Sequence, residues 1–225
     1  MSAAFLCFPP AGAGASFYHE WRGHQGALEI VPVELPGREK RFIDPVPHDL
    51  DGLAADIAPQ LAEHDKAVVF GHSFGAILAY ETVRHALAKD AQLDLTLVVS
   101  GSPKPGVLRG TRISGRPDDE FIAGVREIAG YHHPALDDPE LRDFLLPQLR
   151  TDVALHEGYQ PKDQEPLTIP IITVRGEDDD VVSAPHTAEW AEFTSATFTQ
   201  LEITGGHMYL VDNWRSLLAE VEKLT

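Results

Sequence analysis

The chain has 225 residues, of which 43% are hydrophobic, with 35 acidic residues against 18 lysines and arginines and a formal net charge of −17. That balance excludes nucleic acid and anionic membrane as main partners, because phosphate binding needs a basic face. The single cysteine, Cys7, excludes an internal disulfide and fits a reducing compartment. No stretch has the charge and hydropathy order of a signal peptide or approaches the ~18 apolar residues of a membrane span, so a cytoplasmic protein is expected.

The first apolar, β-rich run is "AAFLCF" (3–8). A loop crowded with glycine and proline follows it, in "FLCFPPAGAGASF" (5–17). A second strand is expected at "LEIVPVEL" (28–35), and Leu50, Leu53, Ala54, Ile57 and Leu61 then fall at helical spacing. Strand "AVVF" (67–70) precedes a helix marked by Ile77, Tyr80 and Val83, and "LTLVV" (95–99) is the next strand. Residues 104–165 contain no strand pattern. There Asp118 is expected to cap a helix whose apolar face is Phe121, Ile122, Val125 and Ile128, and Asp138 followed by Pro139 starts another. Strands resume at "IPIITV" (169–174) and "TFTQLEI" (197–203), and Trp214, Leu217, Leu218, Val221 and Leu224 mark a last helix. Strands apolar on both faces that alternate with helices predict an α/β fold, a mostly parallel sheet flanked by helices. One domain is expected over 1–225, with a core of 1–103 and 166–225 and a helical lid insertion at about 104–165.

The strongest local signal is "VVFGHSFGAILAYE" (68–81), where Gly71-x-Ser73-x-Gly75 lies between an apolar strand and an amphipathic helix. That context makes a nucleophile elbow, with Ser73 projecting at the strand end. Serine needs a base. Among 11 histidines, His207 stands out in "LEITGGHMYLVDN", between the last strand and the last helix. His72, adjacent to Ser73, reads as a packing or hydrogen-bonding residue. The orienting acid comes from "IPIITVRGEDDDVVSA", which offers Glu177, Asp178, Asp179 and Asp180 after a strand. Spacing favours Asp179, with Asp178 and Asp180 as alternatives. The chain order Ser, acid, His is that of α/β-hydrolases.

These motifs, together with "FPPAGAGAS", "VELPGREKRF" (33–42), "GEDDDVV", "GGHMYL" and the lid stretch "DPELRDFLLPQLRTDVALHEGY", resemble the type II thioesterases over essentially the whole length. These are the stand-alone editing enzymes of polyketide and nonribosomal peptide synthetases. The resemblance implies an α/β-hydrolase fold, a Ser73–His207–Asp179 triad, no cofactor, and an acyl or peptidyl carrier protein as partner, its phosphopantetheine arm bearing the acyl thioester. The protein is expected to act as a monomer. Phe74 departs from the family, which more often has methionine there. His132 and His133 in "GYHHP" match no known role.

The first loop is not a dinucleotide site, because Phe17 stands where G-x-G-x-x-G needs its third glycine. α/β-Hydrolases build an oxyanion hole from the N–H after the nucleophile and one from an early loop. Those would be Phe74 and Ala11, with Gly12 as the alternative to Ala11. A carrier is generally acidic, so docking on this chain calls for a basic patch. "GSPKPGVLRGTRISGRP" (101–117) supplies Lys104, Arg109, Arg112 and Arg116 without an acid. Arg38 and Glu39 read as a structural ion pair, Cys7 as core, and Trp21, Trp190 and Trp214 as packing residues, with Trp21 also a candidate pocket wall. No metal-ligand spacing is found. The competing readings are a product-releasing thioesterase or small-ester hydrolase, and a non-catalytic carrier-binding module.

Overall fold

The structure is a computed structural model that describes residues 3–107, 111–129, 134–163 and 165–225. Six strands, β1 (Ala3–Phe8), β2 (Leu28–Pro32), β3 (Lys66–His72), β4 (Asp94–Ser100), β5 (Ile171–Gly176) and β6 (Phe198–Ile203), form one sheet in the order β2-β1-β3-β4-β5-β6. Every pairing is parallel. The expected α/β-hydrolase architecture is therefore present. The chain runs from β1 to the β2 edge and then crosses back to place β3 on the other side of β1. Strand order reverses at β1/β3, and in such sheets the carboxyl ends of the strands at the reversal form the natural crevice. The loops leaving that point are the glycine-rich loop after β1 and the Ser73 turn after β3.

The sheet has a core on each face. Ala4, Leu6 and Phe8 of β1 and Ala67 and Val69 of β3 face α1 (Leu50–Ile57) and α2 (Phe74–Lys89), while Phe5, Cys7, Val68 and Phe70 face α6 (Trp214–Glu222). This is the two-sided burial that β-branched and apolar runs anticipate. Trp21 stacks on Trp214 at 5.7 Å between centroids, and Trp190 packs edge-on against Tyr80 at 5.4 Å while its Nε1 donates to the Ser102 carbonyl.

Three expected boundaries shift. β2 ends at Pro32 and not at Leu35, although the Val33 amide still donates to the Cys7 carbonyl at 3.0 Å; an edge strand tolerates a proline whose missing N–H faces outward. The α1 helix ends at Ile57, and Pro59 opens a 3-10 segment, Ala58–Glu63, that carries Leu61. Asp118 is not a cap: α3 (Asp118–Ala129) begins with it, and its carboxylate pairs with Arg150 at 2.6 Å. Asp138 does cap α4 (Pro139–Gly158), accepting from the amides of Glu140 and Leu141 at 2.9 and 3.1 Å.

Between β4 and β5, α3 and α4 enclose a third cluster of Ile113, Phe121, Ile122, Leu136, Leu146 and Leu149. Arg150 binds the turn that leads into α3. Its guanidinium lies 4.1 Å from the Phe121 ring centroid and donates to the carbonyls of Ser114 and Arg116.

Candidate active site

The turn after β3 explains its own sequence. A Cβ on Gly71 would lie 2.0 Å from the Gly75 carbonyl oxygen, and one on Gly75 would lie 2.5 Å from the carbonyl oxygens of Phe8 and Pro9. Only glycine lets α2 start this close to β1. Ser73 sits at φ 56°, ψ −114°, outside the comfortable region for an L-residue, at a strain of about 1–3 kcal/mol. Its own N–H bonds to the Ser100 carbonyl at 2.9 Å, which ties the turn to β4.

The loops after β5 and β6 are stitched together. The Glu177 and Asp178 amides donate to the carbonyls of Ile203 and Gly205, both at 2.9 Å, and Arg175 binds the carbonyls of Glu177, Asp179 and Val182. Within this frame Asp179 alone of the four acids is buried; Glu177, Asp178 and Asp180 are exposed. Asp179 Oδ2 accepts from His207 Nδ1 at 2.9 Å, and Oδ1 accepts from the Val181 and Val182 amides at 2.8 and 2.9 Å. Burial pushes the Asp179 carboxyl up, but His207 and the two amides outweigh it and hold it below the usual carboxylate range. The carboxylate is therefore ionised when the His207 ring becomes a cation. His72 lies behind the site, its ring 5.0 Å from that of His207, and its Nδ1 joins a chain through Ser100 Oγ (2.9 Å) to the Tyr209 hydroxyl (2.7 Å).

Ser73 and His207 both open into one cavity of about 960 Å³. Its far wall is apolar, formed by Ile113, Val125, Ile128, Leu136 and Leu145 of the helical segment. Ala11 and Phe74 also border it. The alternative donor, Gly12, has its N–H committed to Asp152 Oδ2 at 2.7 Å. Phe74 is fully buried, with its ring 6.2 Å from that of His156. Trp21 is not among the cavity's lining residues; Phe17, on the same loop, is.

Lys104, Arg112 and Arg116 of the basic stretch do not line the cavity. Lys104 pairs with Glu192 at 3.3 Å and Glu189 at 3.7 Å, Arg116 donates to Thr111, and Arg112 is exposed. Arg109, with His132 and His133, lies outside the described residues. Among the described residues, Arg38 and Arg126 are the cavity's guanidinium groups.

Arg38 and Glu39 do not pair with each other. Glu39 accepts from the Ser16 amide and hydroxyl, the latter at 2.5 Å, whereas Arg38 makes a two-toothed bond to buried Asp152 of α4. Sequence reading missed Asp152. Its signal was a lone acid amid Leu149, Val153 and Leu155, on the side of α4 that turns inward. Asp51, Glu81 and His85 also cluster, but Lys162 Nζ sits 2.6 Å from Asp51 and the Tyr159 hydroxyl 2.5 Å from Glu81. That cluster already holds a cation from its own chain.

Residues 4–225 match the family model described as Thioesterase domain. A probable cadicidin biosynthesis thioesterase of Streptomyces griseus is 34% identical over 220 residues, 96% of this chain and 60% of that protein's length. A probable anguibactin biosynthesis thioesterase, AngT of Vibrio anguillarum, is 30% identical over 230 residues, covering 98% of this chain and 90% of its own. Among solved structures, the type II thioesterase BorB from the borrelidin biosynthetic cluster superposes with a TM-score of 0.86 at 31% identity, covering 99% of this chain and 92% of that one.

Proposed function

Since the chain belongs to the thioesterase family, in its type II branch, and is a hydrolase of thioesters, we propose that Ser73, His207 and Asp179 carry the reaction through an acyl-enzyme. The substrate is an acyl group on the phosphopantetheine arm of a carrier protein, and hydrolysis frees a stalled synthetase. The observation that carries the reading is the buried His207–Asp179 hydrogen bond beside the cavity that Ser73 and His207 both line.

His207 takes the Ser73 proton as Oγ attacks the thioester carbonyl. The oxygen that becomes negative is received by the N–H groups of Ala11 and Phe74, and the acyl chain lies along the apolar wall under α3 and α4. The intermediate collapses to acyl-Ser73 and the pantetheine thiol. Water, deprotonated by His207, then releases the acid and restores Ser73. A thiol of pKa ~8.5 leaves with little help, so His207 works more as the base of both attacks than as the acid for departure. Deacylation needs His207 twice, as base toward water and as acid toward the departing Ser73 oxygen, so in His207 variants thiol release outpaces acid release; equal slowing of both would refute that division. In this reading 1–225 is one hydrolase domain with 104–165 as its lid, acting as a cytoplasmic monomer, and the basic stretch from Lys104 to Arg116 steers the carrier.

The test is hydrolysis of a panel of acyl-pantetheine and acyl-carrier thioesters alongside simple esters, with Ser73→Ala as control. Turnover of several short acyl-carriers that Ser73→Ala abolishes is expected. One strongly preferred substrate would make the protein a product-releasing enzyme, and preference for esters a small-ester hydrolase. Failure of a fluorophosphonate to label Ser73 would leave a carrier-binding module.

A further inference from the structure

We propose that the buried Arg38–Asp152 pair positions the oxyanion-binding loop and couples it to helix α4 of the lid, an inference that rests on the roles given above to Ser73 and Ala11. The loop turns at Pro10–Ala13, where the Ala13 amide donates to the Pro10 carbonyl at 3.1 Å and Gly12 has φ 78°. That is the positive φ a type II turn requires at its third position. Ala11 is the second residue of this turn, so its N–H is aimed by whatever fixes the turn as a body.

Arg38 and Asp152 fix it. Asp152 accepts from Arg38 Nη2 at 2.6 Å and Nη1 at 2.9 Å, and from the Gly12 amide at 2.7 Å. Arg38 Nη1 also donates to the Ala13 carbonyl at 2.6 Å. The two ions thus grip the polar groups on either side of the Gly12–Ala13 peptide. The far end of the loop is held by Glu39, the next residue after Arg38, through the Ser16 amide and hydroxyl. Leu149, one turn before Asp152, packs so closely that a Cβ on Gly12 would lie 2.9 Å from its Cδ1. Among the described residues, no other strand-end loop of the site is attached in this way to the lid helices by a buried ion pair.

Stability alone does not require this arrangement. Asp152 is 0% exposed and the Arg38 side chain 5%, and a buried ion pair can be replaced by apolar residues of similar volume at little or no cost in stability. Such a replacement fills the space. It neither accepts the Gly12 N–H nor donates to the Ala13 carbonyl. Because a 1 Å misplacement of a catalytic group costs on the order of 100-fold in rate, losing that grip appears in kcat. Arg38 and Asp152 touch no reacting atom; they are positioning residues, and movement of α4 is transmitted through them to the oxyanion donor.

The experiment compares Asp152→Asn, Arg38→Met and the double variant Arg38→Met/Asp152→Leu in the full chain, each measured for Tm, for kcat and KM on an acyl-pantetheine, and for inhibition by a trifluoromethyl ketone analogue. That inhibitor adds to Ser73 and needs the oxyanion hole. The single variants are expected to lose kcat on the order of 100-fold with KM nearly unchanged, and to bind the ketone weaker by the same factor. The double variant is expected to regain Tm while kcat stays low. The proposal is overturned if the double variant regains kcat together with Tm, if folded Asp152→Asn keeps kcat, or if kcat falls while ketone affinity does not. Ser73→Ala separates the two readings. If it retains turnover, the acyl-enzyme reading fails; if it is inactive while the Asp152 variants are normal, only the positioning role fails.

Discussion

Asp179→Asn tests the site most sharply, because the structure dictates how the new amide will sit. In the native protein Oδ1 accepts two backbone amides, from Val181 and Val182, and Oδ2 accepts one ring N–H, from His207. An asparagine has one oxygen and one NH2. Placing the oxygen toward the two amides leaves Nδ2 facing His207. The reverse orientation saves the His207 bond but points NH2 at two N–H groups. The first orientation keeps at least one more hydrogen bond, and each unsatisfied buried donor costs about 1–3 kcal/mol, so it dominates by roughly 10- to 100-fold or more. Nδ2 then donates to Nδ1. The ring proton moves to Nε2, and the nitrogen nearest Ser73 can no longer accept the hydroxyl proton. A wrong-tautomer substitution of this kind in a serine protease lowers kcat by about 10⁴, and a loss of that size with KM unchanged is expected here. The assay is steady-state hydrolysis of an acyl-pantetheine, with Asp178→Asn and Asp180→Asn as controls that stay at native rates. A loss smaller than about tenfold in Asp179→Asn would refute the tautomer argument, and a comparable loss in either control would refute the choice of Asp179.

Gly75→Ala places a methyl 2.5 Å from two carbonyl oxygens of the β1 end, so Tm and the rate of fluorophosphonate labelling at Ser73 should both fall; native labelling would contradict the close approach. The depressed Asp179 carboxyl stabilises the fold above the unfolded carboxylate range and loses that contribution as pH falls through its folded value. The Tm advantage of native protein over Asp179→Asn should therefore shrink below about pH 4, and an advantage independent of pH would refute the linkage. Trp190→Ala empties a fully buried site and should cost about 3–5 kcal/mol in urea unfolding, whereas Phe144→Ala, at a 72% exposed position on the cavity rim, should cost less than about 0.5 kcal/mol. Reversing the charges of Arg112 and Arg116 should raise KM for a carrier-bound substrate only, and equal effects on a free acyl-pantetheine would show that the basic stretch steers no carrier.

What sequence reading found and missed divides along chain distance. The elbow was legible because its physics is local: two glycines, one serine, a strand before and a helix after, all within Gly71–Gly75. The preference for Asp179 over its neighbours was legible for a related reason. Only a residue three past Gly176 falls where the stitched loops bury one side chain and leave the amides of Val181 and Val182 to meet it. The end of α1 was misread because apolar periodicity continues through Pro59 while the N–H that continues the helix does not. The partners of Arg38 and Glu39 were illegible because adjacency in sequence suggested a pair. The positive φ at Glu39 (48°) sends the two side chains apart, one to the first loop and one to a helix 114 residues onward. Buried polar contacts of that span leave only a faint trace, an acid in an apolar helical stretch, which is also what an exposed edge of a helix would show. In this chain such a contact joins three segments on which the resemblance to type II thioesterases rests: the first loop "FPPAGAGAS", the "LPGRE" stretch and the lid stretch that carries Asp152. They meet at the Pro10–Ala13 turn, which carries the amide of Ala11, the proposed oxyanion donor.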